Sequence, residues 1–299
     1  MTILALEIGP SRFAVGRISE TEGTQQMRVI APPTRDVWAA CRDLLIEVAG
    51  NDRITAVGIG ASGPIDMAAG IIASAAIPEW RTGFAIAAAV REVFPHCVVM
   101  LALDGACHAM AESNLGSTRG ELDTLTVHVS ARVTGGLTVG GLTVVGRTGN
   151  AGHIGHVLVP GFDDICECGG HGCLEAVAGG TAMVRWSRAR GWGGSSESAL
   201  IDAAEAGDPT ALAALERAGT ALGRAIVSVA AVLDVGLVVV GGTVADAGSA
   251  LWSPLGRAIS DRARLGFLSG LRVVRSELGE DAILVGAGLI AVAVKASSQ

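Results

Sequence analysis

One loop constrains this chain more than any other stretch. Cys166-Glu167-Cys168 is followed by a third thiol at Cys173, and His156 stands ten positions before the first. Gly169, Gly170 and Gly172 carry no Cβ and let the backbone turn back tightly enough for four ligand atoms to converge. Three thiolates and one imidazole suit a closed tetrahedral Zn2+ site. Four protein ligands leave no open position for water or substrate, so such an ion would be structural. The competing reading is a flexible loop of unpaired thiols. Cys41, Cys97 and Cys107 lie in apolar helix or strand contexts and read as core residues.

The loop sits in a chain of 299 residues, enough for one large domain or two modest lobes. A formal charge of −7 with no basic run argues against nucleic acid as a partner. No apolar stretch free of charge and glycine reaches the roughly 18 residues a membrane span needs. The start, Met-Thr-Ile-Leu-Ala-Leu-Glu7, lacks the basic segment of a signal peptide. The expected location is the cytoplasm, where cysteines read as thiols or metal ligands before disulfides. Lys295, near the C-terminus, is the only lysine. A Gly-Lys-Ser/Thr phosphate loop and a Schiff-base lysine are therefore both excluded. The use of arginine over lysine fits a GC-rich genome better than a chemical need.

Strands are expected at 2–6, 13–18, 56–60 and 97–103, with helices at 36–48, 84–94 and 105–115. The texture changes near 116–120, the candidate junction between lobes. Antiparallel strands joined by glycine turns follow at 125–129, 136–139 and 142–145. Alanine-rich helices are expected at 174–190 and 199–232, the second broken near Pro209. A strand at 236–240 leads through a Gly-Gly turn to a helix, and a strand at 272–275 and a helix at 284–294 close the chain. Strand–helix alternation in both halves makes the fold class α/β.

Several motifs resemble, in order, those of the ROK family of sugar kinases, which includes glucokinases and N-acetylmannosamine kinases. Gly149-Asn150-Ala151-Gly152-His153-Ile154-Gly155-His156, then Cys166-x-Cys168-Gly-Gly-x-Gly-Cys173-Leu174-Glu175, is similar to the family signature. Glu7-Ile8-Gly9-Pro10-Ser11 stands where the family has its first phosphate loop, Asp-x-Gly-Gly-Thr. Gly58 to Asp66 resembles the Gly-Ile-Gly-x-Pro-Gly-Pro-x-Asp turn, and Ile77-Pro78-Glu79-Trp80, Asp104 and Gly241-Gly242-Thr243-Val244 also fall in place. The resemblance implies a two-lobed, actin-like ATPase (ribonuclease H-like) fold of the sugar-kinase type. Residues 1–117 would form the first lobe and 118–284 the second, with the zinc loop at 156–173. A C-terminal helix over about 285–297 would pack back onto the first lobe.

For chemistry, the resemblance implies ATP-dependent phosphorylation of a hexose or N-acylhexosamine, with Asp104 as general base toward the sugar hydroxyl. A carboxylate at a strand–helix junction serves equally as an N-cap. Gly63, Asn150, His153, His156 and Glu175 would bind the sugar, His156 doubling as a zinc ligand. Gly9, Ser11, Gly135, Gly241 and Gly242 would line the nucleotide, held with Mg2+. His153 stands where glucokinases carry Glu, and leans the reading toward an N-acylhexosamine. A homodimer is expected by the same resemblance.

Three departures touch what phosphorylation needs. Pro10 and Ser11 replace Gly and Thr in the first phosphate loop, and Glu7 replaces Asp. Proline has no N–H to offer a phosphate and fixes φ. Ser130-Ala131-Arg132 replaces the Gly-Thr-Gly of the second phosphate loop. Leu103 and Ala106 stand where the family has sugar-binding asparagines, a loss of about 1–3 kcal/mol per missing hydrogen bond. These changes support an alternative: a catalytically degenerate, sugar-sensing homologue, its phosphate site plugged by a pair between Glu7 and Arg132. The opposite reading gives Arg12 and Arg132 a role toward an altered phosphoryl donor or a phosphorylated ligand.

Overall fold

The structure is a computed structural model that describes residues 2–19 and 23–297. It divides into two compact units. The first takes in the chain up to Leu115, returns for Thr143–Gly152, and resumes from Asp281. The second holds Gly116–Leu142 and His153–Glu280.

In chain order the first unit contains β1 (Thr2–Ile8), β2 (Phe13–Ser19), β3 (Gly23–Ile30), α1 (Val37–Ala49), β4 (Ile54–Ala61), β5 (Ile65–Asp66), β6 (Ile71–Ile72), α2 (Ile86–Val93), β7 (Val98–Leu103) and α3 (Asp104–Leu115). Its sheet runs β3-β2-β1-β4-β7. β2 lies antiparallel to β1, and β4 and β7 follow in parallel. β1 alternates strictly, because successive side chains leave opposite faces of a strand. Leu4, Leu6 and Ile8 enter one core with residues of α1 and α2, while Ala5 enters another with Cys107 of α3 and Ile283, Leu284 and Ala287. The last three belong to the C-terminal helix (Ala282–Ser297). That helix packs closely because a Cβ at Gly286 would overlap the carbonyl of Cys107.

The second unit contains β8 (Thr124–Val129), β9 (Val133–Val139), β10 (Leu142–Val144), α4 (Leu174–Ala178), α5 (Gly180–Arg188), α6 (Glu197–Glu205), α7 (Pro209–Leu233), β11 (Leu237–Gly241), α8 (Gly248–Arg262) and β12 (Arg272–Arg275). β10 spans residues of both units by its bounds and is placed here by its sheet, which runs β10-β9-β8-β11-β12. The two sheets share one plan. Each has a strand with an antiparallel neighbour on one side and two successive parallel strands on the other. The helix expected at 199–232 is two helices. Asp208 accepts from the backbone N–H groups of Thr210 and Ala211 at 2.9 Å, and Pro209 starts α7 where no N–H is needed.

Three sequence expectations need correction. The helix expected at 174–190 is two helices, α4 and α5, separated at Gly179, which takes an extended conformation. β3 was not foreseen, since Gln25, Gln26 and the exposed edge position give no alternation to read. Residues 143–152, expected in the second lobe, belong to the first unit. Met67 donates its backbone N–H to the Thr148 carbonyl at 3.0 Å, and Asn150 binds Ile65, so an irregular segment is fixed by hydrogen bonds that no periodicity announces.

Candidate functional site

In the first unit the carboxyl end of β1 carries Glu7, only 5% exposed. Strand alternation puts it on the face of Ala5, and its register partners are Ala14 on β2 and Gly60 on β4. Small neighbours make room for its side chain on an otherwise apolar face. Arg12 closes the turn from the far side. Its Nη2 reaches Glu7 Oε2 at 2.7 Å and its Nε reaches Oε1 at 3.1 Å, a bidentate pair. Arg12 Nη1 also donates to Asp281 at 3.1 Å. Burial opposes the charged guanidinium, but pairing with Glu7 and Asp281 outweighs it and holds the Arg12 pKa above its ordinary value. Within the same turn Gly9 donates its N–H to the Arg12 carbonyl at 3.0 Å, Pro10 has none, and Ser11 is exposed.

Asp104 opens α3 and is 8% exposed. Its Oδ1 accepts the Gly105 N–H at 2.7 Å, satisfying one of the donors a helix start leaves unpaired. One turn on, the Cys107 thiol is pushed up by burial first, then by the charges of Asp104 and Glu7. Gly63 precedes Pro64 through a cis peptide. Asn150 grips the residue after it: its Oδ1 accepts the Ile65 N–H at 2.9 Å and its Nδ2 donates to the Ile65 carbonyl at 2.7 Å. Its side-chain amide thus fixes the turn that presents Gly63.

In the second unit the cysteine loop closes as its residues predict. His156, Cys166, Cys168 and Cys173 place one ligand atom each within 4.8 Å of one another, a group that can hold a metal ion. Cys166 Sγ lies 3.7 Å from His156 Nδ1, and Cys168 Sγ lies 3.8 Å from Cys173 Sγ. The backbone builds this convergence. Gly170 accepts at its carbonyl from the Cys166 N–H and donates its own N–H to Cys168 Sγ at 3.4 Å. That N–H, with the neighbouring thiols, draws the Cys168 pKa below its usual value, whereas burial pushes Cys173 up to about 12. Phe162 and Asp164 anchor the loop to α7: Arg217 donates to Asp164 at 2.7 Å and lies over the Phe162 ring.

Glu175, on α4, is 8% exposed. Its Oε1 accepts from Arg132 Nη1 at 2.8 Å and its Oε2 from the Val133 N–H at 3.3 Å. The second nitrogen of Arg132, Nη2, reaches Glu167 Oε2 at 2.5 Å. The rings of His153 and His156 stack with centroids 4.9 Å apart. Burial, then His156 and Arg132, depress the His153 pKa to about 4, so its imidazole is neutral near pH 7. Arg132, Glu175, His153, His156 and the metal loop form one cluster. Gly135 lies on β9 opposite Val127, Gly241 ends β11, and Gly242 follows at φ 90°, where a Cβ would overlap the Val129 carbonyl.

The two residues proposed to plug the phosphate site each have a partner within their own unit. Within the first unit Glu7 pairs with Arg12, and within the second Arg132 pairs with Glu175 and Glu167. Sequence reading missed Glu167 as a partner, because a residue between two metal ligands reads as a spacer.

The ROK family profile matches residues 3–294. The chain is 30% identical to a glucokinase of Thermotoga maritima over 97% of each protein. It is 29% identical to an N-acetylmannosamine kinase of Yersinia pestis over 81% of this chain and 82% of that one. Among solved structures, a ROK family glucokinase from Streptomyces griseus in complex with glucose and AMPPNP superposes with a TM-score of 0.86 at 25% identity, covering 98% of this chain and 100% of that one.

Proposed function

This chain belongs to the ROK family and has its actin-like ATPase fold, and we propose that it phosphorylates a hexose or N-acylhexosamine with ATP. The observation that carries the reading is the cluster of Glu175, His153 and His156 built around the metal loop. Glu175 would accept sugar hydroxyls, and neutral His153 would offer one donor and one acceptor. His153, standing where glucokinases carry Glu, favours an N-acylhexosamine over glucose. Asp104 would take the proton of the attacking hydroxyl, and its grip on the Gly105 N–H fixes its direction. ATP with Mg2+ supplies the phosphoryl group and its charge neutralisation. Gly9, Ser11, Gly135, Gly241 and Gly242 would line the nucleotide, and Gly63, held through Asn150, the sugar. A homodimer in the cytoplasm fits the same family reading and is checked by light scattering.

The metal is proposed to be zinc. An ion at about 2.3 Å from sulfur and 2.0–2.1 Å from imidazole nitrogen holds tetrahedral S···S and S···N edges of roughly 3.8 and 3.6 Å. The observed 3.8 and 3.7 Å fit it, and the donor set of three thiols and one imidazole is one zinc prefers.

The Glu7–Arg12 pair favours a second reading, a homologue that keeps the sugar cluster but does not transfer phosphate. At the β1–β2 turn Gly9 already donates to Arg12, and Pro10 has no N–H. A coupled ADP-release assay over a panel of hexoses and N-acylhexosamines decides. Turnover that falls by about 10²- to 10⁴-fold in Asp104→Asn supports the kinase. Sugar binding by calorimetry with no turnover and no Mg·ATP binding supports the second reading.

A further inference from the structure

Arg132 stands on the short β8–β9 turn, and its guanidinium is engaged by two carboxylates. One arm holds Glu175 at 2.8 Å and the other holds Glu167 at 2.5 Å. Glu167 lies between two of the four metal-ligating residues, Cys166 and Cys168. Arg185 of α5 flanks the same carboxylate at 3.9 Å and donates to the Ile165 carbonyl at 3.4 Å, so the metal loop is gripped from two sides. The turn that carries Arg132 is itself pinned. Gly180 and Thr181, at the start of α5, donate their N–H groups to the Ser130 and Ala131 carbonyls at 2.7 and 3.1 Å. Arg132 thus joins a rigid turn, a carboxylate of the proposed sugar cluster and the metal loop. A planar guanidinium with five donors can bridge two carboxylates in this way, and an ammonium cannot reproduce the fork.

We propose that Arg132 is a positioning residue that couples the metal loop to the sugar cluster: through Glu167 it transmits the ordered state of the loop to Glu175. Loss of the ion would free Glu167, slacken the Arg132 fork and let Glu175 rotate. This rests on the reading of Glu175 as a sugar acceptor, and the test separates the two. Sugar affinity is measured by calorimetry for the wild type, Glu167→Gln, Arg132→Ala, Arg132→Lys and the double variant Arg132→Ala/Glu167→Gln. Metal release to a chromogenic chelator is followed in parallel, and circular dichroism verifies folding.

Glu167→Gln is expected to weaken sugar binding several-fold, and Arg132→Ala by about 10-fold or more, within the range that outer partners of metal ligands show. Glu167→Gln should add nothing once Arg132 is gone, and Arg132→Lys should resemble Arg132→Ala. Metal release should quicken in all three single variants. Wild-type sugar affinity in Glu167→Gln, or independent effects that multiply in the double variant, would overturn the coupling. If the wild type binds no sugar, the reading of Glu175 fails, and the release rates alone judge the strap. Release from Arg132→Ala at the wild-type rate would then sink it. If Arg132→Ala does not fold, Glu167→Gln and Arg132→Lys carry the same comparison.

Discussion

Two guanidinium–carboxylate clusters stand at corresponding turns of the two units, and they differ in what they connect. At the β1–β2 turn Arg12 and Glu7 form a pair whose side chains are 16% and 7% exposed, with Asp281 as a third member. At the β8–β9 turn Arg132 is 25% exposed and joins Glu175 to a Glu167 that is 48% exposed. The Glu7–Arg12 pair of the first cluster is largely buried and extends to a half-exposed Asp281; the second cluster reaches from the interior to the cysteine loop at the surface. A buried charge depends on its partner for stability, whereas a pair open to water contributes little energy and acts through orientation.

The largest effect is expected where the second cluster meets the metal loop. Cys173→Ala should take bound zinc from about one ion per chain to almost none, read by metal analysis, and should lower the melting temperature. A variant that retains its full complement of ion would break the assignment of Cys173 as a ligand. Next is the buried pair. Glu7→Gln removes the charge that faces the largely buried Arg12, and should cost about 3 kcal/mol in urea unfolding. A loss under about 1 kcal/mol would show that the two clusters are equivalent in stability. Restoring the family pattern in the same turn, with Glu7→Asp and Pro10→Gly, should raise Mg·ATP affinity on the order of tenfold, since it returns a backbone N–H. Unchanged calorimetry would show that the turn does not limit nucleotide binding. The smallest effect is expected for Glu167→Gln, under about 1 kcal/mol in unfolding because its carboxylate is largely open to solvent. A larger loss would move Glu167 from an orienting role to a structural one.

The cysteine loop was legible from the sequence because its ligands lie within a short span and glycines set the reversals between them. The buried strands and the break near Pro209 were legible for a similar reason: apolar runs and a helix-breaking proline are local signals. Asp104 was legible as a strand-to-helix junction, although its bond to the Gly105 N–H became visible only in three dimensions. The return of residues 143–152 to the first unit was not legible, since an irregular segment is fixed by single hydrogen bonds to distant residues.

By itself, then, the sequence determined the α/β class, the four residues that could hold a metal ion and the loss of a backbone donor at Pro10. All of these follow from residue identity at short range. Only the tertiary structure decided the partners of the charges. Glu7 and Arg12 are five residues apart, but Arg132 and Glu175 are separated by 43 and Arg12 and Asp281 by 269. An arginine side chain is long and its fork is satisfied by any well-placed carboxylate, so its direction is set by the packing of the turn that carries it.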